Sequence, residues 1–160
     1  MKLYIQQRVF SIGDKYDVYD EMQNVIYMVQ GKIFTIGAQI SLFDYNGQEL
    51  YFIRQTRIFP LPQYQLHKNN VLMADIKREF MILKSKFTIS SYHGNFTMEG
   101  DIFSMDFQIL KDGFPVGAIS KRWLSWGDTY ELNIYDNIEP DFFVAMVITI
   151  DHSLHNDRNN

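Results

Sequence analysis

The chain has 160 residues, 46% of them hydrophobic, with 13 Phe, 10 Tyr and a formal charge of −4. That length and apolar content fit one domain with a core of its own. With no cysteine, a disulfide framework and cysteine-based metal or thiolate chemistry are excluded, and the acidic total argues against a dedicated nucleic-acid binder.

The first residues, "MKLYIQQRVF", contain no apolar run of signal-peptide length. The longest apolar run, Phe142–Ile150, is about half of the ~20 residues a helix needs to span a bilayer. The expectation is a soluble, cytoplasmic protein with no transmembrane segment.

In chain order, one unit recurs. "FSIGDKYDVYD" starts at Phe10, "FTIGAQISLFD" at Phe34 and "WGDTYELNIYD" at Trp126. Each reads as a β-hairpin. A strand ends on an aromatic (Phe10, Phe34), and Gly13 or Gly37 allows a tight turn. A short alternating strand follows, Tyr16–Tyr19 or Ile40–Phe43, and turn residues "DEMQN" or "DYNG" close the unit. Looser copies follow Phe59 (with Pro60 and Pro62 in place of the Gly turn), Phe80, Phe103 and Trp123, so the aromatics recur every 20 to 25 residues. The third copy, "RIFPLPQYQLHKNN", departs most from the pattern.

These units predict twelve strands, over 3–10, 15–19, 25–34, 39–43, 49–59, 63–67, 71–80, 86–90, 95–102, 105–110, 115–123 and 129–135. Short connections make neighbours antiparallel. Two strands per unit do not make a propeller blade, so a closed up-and-down barrel is expected. Roughly eight strands close around their own side chains, whereas twelve leave a lumen to fill. The filler is "DFFVAMVITID", 141–151. Its Val and Ile favour a strand locally, but a helix apolar on every face suits burial on every face. The predicted organisation is a single domain over 1–151 with a central helix over 141–151, and a polar tail over 152–160.

The segments "QQRVFSIGDKYDVYDE", "VQGKIFTIGAQISLFD", "NFTMEGDIFSMDFQI" and "ISKRWLSWGDTYELNI", with the apolar tail, resemble the tubby C-terminal-like superfamily in its LURP-one-related branch. The likeness covers essentially the whole chain. It implies a twelve-stranded barrel around a hydrophobic C-terminal helix. Tubby members bind phosphoinositides as membrane tethers, phospholipid scramblases are similar in fold, and the plant branch is associated with pathogen defence. No catalytic motif belongs to the family pattern.

Signatures of catalysis are absent: no Gly-rich phosphate loop, no G-x-S-x-G and no H-E-x-x-H. His152 and His155 at i, i+3 form a weak metal pattern, set against a polar chain end. Glu99 and Asp101 lie on one strand face with Asp106 nearby, which reads as a solvated face. Asp14 and Asp128 follow Gly in turns, a structural use of Asp. Trp123 and Trp126 read as packing residues. No catalytic residue, metal ligand or cofactor is expected.

One repeated feature is left over. Arg8, Lys32, Arg57, Arg78 and Lys121 each stand two residues before a repeat aromatic, with Asp101 the exception. In a meander all these positions fall at one rim, where Lys77, Lys84, Lys86 and Arg122 add charge. The opposite turns carry Asp20, Glu21, Asp44, Asp112, Asp136 and Glu139. Basic residues blunt strand ends and their stems can lie over aromatic rings, which is a structural use. Arg78 also shares a strand face with Leu72, Ala74 and Ile76. The functional expectation is a non-enzymatic binding module. Its candidate anion-binding residues are Arg8, Lys32, Arg57, Lys77, Arg78, Lys121 and Arg122. The partner is an anionic membrane surface or a phosphoinositide-like ligand, which would place the protein at the membrane periphery. The alternative is a protein–protein interaction or scaffold domain with no small ligand.

Overall fold

Alternation sets the direction of every side chain. Tyr16 and Val18 are buried between the more exposed Lys15, Asp17 and Tyr19, and Leu3 and Ile5 repeat the pattern one strand earlier. A period of two puts one set of residues inside and the other in solvent. The computed structural model describes the chain apart from residues 9–12, 14, 83, 102–103, 125–126 and 159–160, and the side chains of 123–128 and 156–160 are likewise not described.

The strands are β1 (Lys2–Gln7), β2 (Lys15–Tyr19), β3 (Val25–Gly31), β4 (Gln39–Asp44), β5 (Glu49–Arg57) and β6 (Gln63–Lys68). The second half has β7 (Val71–Glu79), β8 (Ser85–Ser91), β9 (Gly94–Asp101), β10 (Asp106–Lys111), β11 (Phe114–Leu124) and β12 (Gly127–Ile134), and the chain closes with α1 (Pro140–Arg158). Each strand pairs antiparallel with its sequence neighbours, and β1 meets β12 from Lys2 opposite Asn133 to Gln6 opposite Thr129, so the barrel is closed. Closure removes the sheet edges that would otherwise offer unpaired backbone.

All twelve expected strands are present. One feature of the hairpin unit is corrected. β3, β5 and β7 end at Gly31, Arg57 and Glu79, before the aromatics Phe34, Phe59 and Phe80 that were expected to end them. The turn glycines behave as the pattern requires: Gly13 and Gly37 have φ of 82° and 75°, a region that costs glycine little.

Helix α1 fills the lumen. Every residue from Asp141 to Asp151 is buried. Phe142 packs against Tyr51, Phe96 and Phe143 with ring centroids 6.1, 5.6 and 6.3 Å apart, and His93 lies 4.8 Å away. Burying each such aromatic or aliphatic side chain contributes about 1.5–3 kcal/mol, which outweighs the strand preference of Val144, Val147 and Ile148. Thr149 is accommodated because its hydroxyl donates to the Ala145 carbonyl at 2.7 Å. The helix does not stop at 151 as expected. It continues to Arg158, and Ser153 and Leu154 are buried with it. Polar residues read as a tail, but the barrel end supplies them with partners.

Candidate functional site

In a meander all odd-numbered strands run one way. The hairpins after β1, β3, β5 and β7 therefore share one rim, and α1, which enters from the opposite rim, ends there. The basic residues predicted for one rim lie on it. The structure divides them into three groups.

Arg8 and Arg122 are on the outer wall in ion pairs. Arg8 Nε and Nη2 donate to Asp17 at 2.6 Å each, and this hydrogen bond and charge raise the Arg8 pKa above its usual value. Arg122 Nε donates to Glu131 at 3.1 Å. Hydrogen bonds from Asn133 and then Arg122 outweigh burial and hold the Glu131 carboxyl below its usual range.

Arg78 and Lys121 fall on inner faces. Arg78 shares its face of β7 with Ala74 and Ile76, lies over the Phe87 ring at 6.0 Å, and donates to the Ser153 carbonyl at 3.4 Å. It therefore meets the C-terminal half of α1. Lys121 stands opposite Tyr130 and on the side of β11 taken by Ile119.

Lys32, Arg57 and Lys77 are exposed, and so is Lys84 in the next loop. Lys32 Nζ lies 5.6 Å over the Phe52 ring, and Arg57 Nε donates to the Leu61 carbonyl at 2.9 Å. Among the described residues none of these four forms an ion pair. Arg54 and Lys15, outside the two-before-aromatic pattern, also face outward near this half of the rim. The described carboxylates nearby have partners of their own: Asp75 accepts from Gln63 at 3.2 Å, and Glu79 lies 3.9 Å from Lys86, which is 3.3 Å from Glu99. The described ring contacts of this set are of its charged groups, Lys32 over Phe52 and Arg78 over Phe87, and neither ring is a repeat aromatic. Phe34, Phe59 and Phe80 are instead 101%, 84% and 79% exposed. Phe10 and Phe103, like the side chains of Trp123, Trp126 and Asp128 and all of Asp14, lie outside the described residues.

Two hollows flank the loop after β3, and Lys32 lines both. One, of 310 Å³, opens at the rim between Lys32, Thr35, Gln39, Gln55 and His152. The other, of 570 Å³, lies on the outer wall between Lys15, Gln30, Lys32, Ile33, Ser41 and Phe43. Neither is lined by a carboxylate, although Ser41 Oγ donates to Glu49 at 2.6 Å at the floor of the second.

Below the rim the helix end is fixed by a buried polar group. Tyr16 and Tyr130 each donate to the Asp151 carboxylate at 2.5 Å, and His155 Nδ1 is 3.1 Å from it. Burial pushes the Asp151 carboxyl up, but His155 and the two phenols outweigh it and hold it below its usual range. His152 is hydrogen-bonded to the Tyr64 hydroxyl at 3.0 Å, so the two histidines have different partners. Among the described residues no three His, Asp or Glu side chains gather as a metal cluster.

The opposite rim is acidic in the described turns. Asp20 and Asp44 accept backbone hydrogen bonds within their own turns. Lys68 sits between Glu139 and Asp141 at 2.6 and 3.2 Å. Burial disfavours its charge, yet these two carboxylates raise its pKa above the usual value. Among the described residues no helix is long and apolar enough to cross a membrane.

The sequence profile of the LURP-one-related family matches residues 1–151. The chain is 31% identical over 160 residues to "Uncharacterized protein YxjI" of Bacillus subtilis (strain 168), covering 99% of this chain and 97% of that one. Its fold is similar to the X-ray structure of a protein from Arabidopsis thaliana, with a TM-score of 0.70, 14% identity, and coverage of 99% of this chain and 92% of that one. A profile match over nearly the whole barrel and helix, in a chain whose strands and filled lumen follow the same plan, makes this protein a member of the LURP-one-related family.

Proposed function

We propose that the protein is a non-enzymatic binding module that docks on anionic membrane surfaces at the cytoplasmic periphery, through the half-rim between β3 and β8. The observation that carries this reading is the group Lys32, Arg57, Lys77 and Lys84. They are exposed, lie on neighbouring hairpins, and have no ion-pair partner among the described residues. Near an anionic leaflet each such residue contributes about 1 kcal/mol. Acidic turns at the far rim favour one orientation. The hollow between Lys15 and Lys32 offers a place for a phosphate or phosphoinositide-like headgroup.

A second reading is a protein-interaction domain. Its support is the exposed Tyr45, Tyr92, Phe114 and Tyr135 at the opposite rim, since aromatics are enriched at protein interfaces. Flotation with phosphatidylcholine vesicles, with and without phosphatidylserine, across a salt series separates the two. Membrane docking predicts binding only with the anionic lipid, weakening as salt rises. Absence of binding to either vesicle, or binding indifferent to salt, would reject it.

A further inference from the structure

We infer that the three adjacent loop segments 32–38, 58–62 and 80–82 form a wedge whose apolar tips enter the interface of an anionic bilayer while the basic residues behind them hold the headgroups. This rests on the docking reading above and adds which residues leave water.

Phe34 and Ile36 are 101% and 96% exposed, Phe59 is 84% exposed, and Phe80 and Ile82 are 79% and 86% exposed. Ile33, Ile58 and Met81 are exposed beside them. Single apolar residues on a surface are ordinary. Two or three on each of three neighbouring loops are a patch, and such patches mark interaction sites. Phe34 also has φ of 59°, a costly conformation for a bulky residue, and burial in the fold provides no compensation.

The far rim has exposed apolar residues too, Val71, Leu72 and Tyr92 among them, but they are spread at one or two per described connection around the whole rim, and Met22, Tyr45 and Phe114 sit among Asp20, Glu21, Asp44 and Asp112. Only the half-rim between β3 and β8 joins large apolar tips to unpaired cations among the described residues. The placement fits a bilayer. Strands are about 4.8 Å apart, so successive hairpin tips lie roughly 10 Å apart. Lys32 and Arg57 stand two residues before Phe34 and Phe59, or about 7 Å along the chain. Insertion of apolar groups to about 5–10 Å therefore leaves the cations at headgroup depth. A fluid interface takes up apolar tips spaced in this way without a matching surface.

The chain lacks cysteine, so a single introduced cysteine carries a label unambiguously. Phe34→Cys, Ile82→Cys and the far-rim controls Tyr45→Cys and Phe114→Cys are labelled with an environment-sensitive nitrobenzoxadiazole dye and mixed with phosphatidylserine-containing vesicles. A blue shift at residues 34 and 82, with none at 45 and 114, is expected. The double variant Phe34→Asp/Phe80→Asp, its fold checked by near-ultraviolet circular dichroism, is expected to bind these vesicles roughly ten-fold more weakly or worse. If unmodified protein floats with the vesicles but the labels at 34 and 82 stay in water, the wedge is rejected and electrostatic docking stands. If unmodified protein does not float, both readings fall. If the labels report burial without vesicles, together with concentration-dependent dimerisation, the tips pair with a second copy and the wedge is again rejected.

Discussion

The Tyr130 hydroxyl donates to the Asp151 carboxylate at 2.5 Å, joining the last strand to the helix it surrounds. Tyr16 on β2 donates to the other carboxylate oxygen at the same distance. Asp151 thus ties the helix to both sides of the seam near which the barrel closes, and it is only 2% exposed. Hydrogen bonds to a charged group contribute about 1.5–3 kcal/mol each, and a buried polar group left without its partner costs a similar amount. Asp151→Asn is expected to lower stability by about 2–4 kcal/mol, and Tyr16→Phe by about 1.5–3 kcal/mol. Urea midpoints measured at constant slope check both.

Acid stability follows from the same group. The native Asp151 pKa lies below its usual value, so its contribution is complete above the unfolded value of about 3.9. It is lost as pH falls through the lower native value. Melting temperature should therefore hold down to about pH 4 and then fall. The Asp151→Asn variant should show a shallower acid loss. An equally steep loss would place the acid-sensitive group elsewhere.

At the other end the sign reverses. Burial and then the charge of Asp141 push the Tyr51 hydroxyl up to about 12, and Glu139 and Asp141 raise Lys68. Both groups hold their protons more tightly in the folded state. Their contribution is complete below the unfolded values near 10 and is lost as pH rises through the folded ones. Stability is expected to decline above about pH 10, and Tyr51→Phe should reduce that decline. Denaturant titrations on either side of that pH measure it.

Gly117 tests how closely neighbouring strands of the wall pack. A Cβ added there would come within 2.8 Å of the Asn133 carbonyl oxygen and 3.2 Å of Ile109 Cδ1. Overpacking of this kind costs about 1–3 kcal/mol. Gly117→Ala should lower the melting temperature without altering vesicle binding by the folded protein, since the site is remote from the loops after β3, β5 and β7.

The fold was legible because its signals are periodic. Gly13 and Gly37 mark turns, Tyr16 and Val18 alternate with polar neighbours, and an all-apolar run needs a place away from water. The helix end was not legible. His152 and Ser153 look like a polar tail, and their partners come from β6 and β7, distant in sequence. The basic rim was legible as a set but not as a division. Asp17 and Glu131 neutralise Arg8 and Arg122 across strands, while the register turns Arg78 and Lys121 inward. The exposure of Phe34, Phe59 and Phe80 was missed because an aromatic after an alternating run reads as wall. The signal available at two of the tips was the breaker after the aromatic, Gly37 or Pro60, which removes it from the ladder; the segment after Phe80 carries no Gly or Pro.

Charge at the half-rim is the central claim, and flotation of one triple variant tests it most directly. Lys32→Gln/Arg57→Gln/Lys77→Gln removes three exposed cations worth about 1 kcal/mol each near an anionic leaflet, roughly a hundred-fold in binding together. The account predicts that loss with phosphatidylserine vesicles at moderate salt, with an unchanged melting temperature. A folded triple variant that floats as well as the unmodified protein would contradict it.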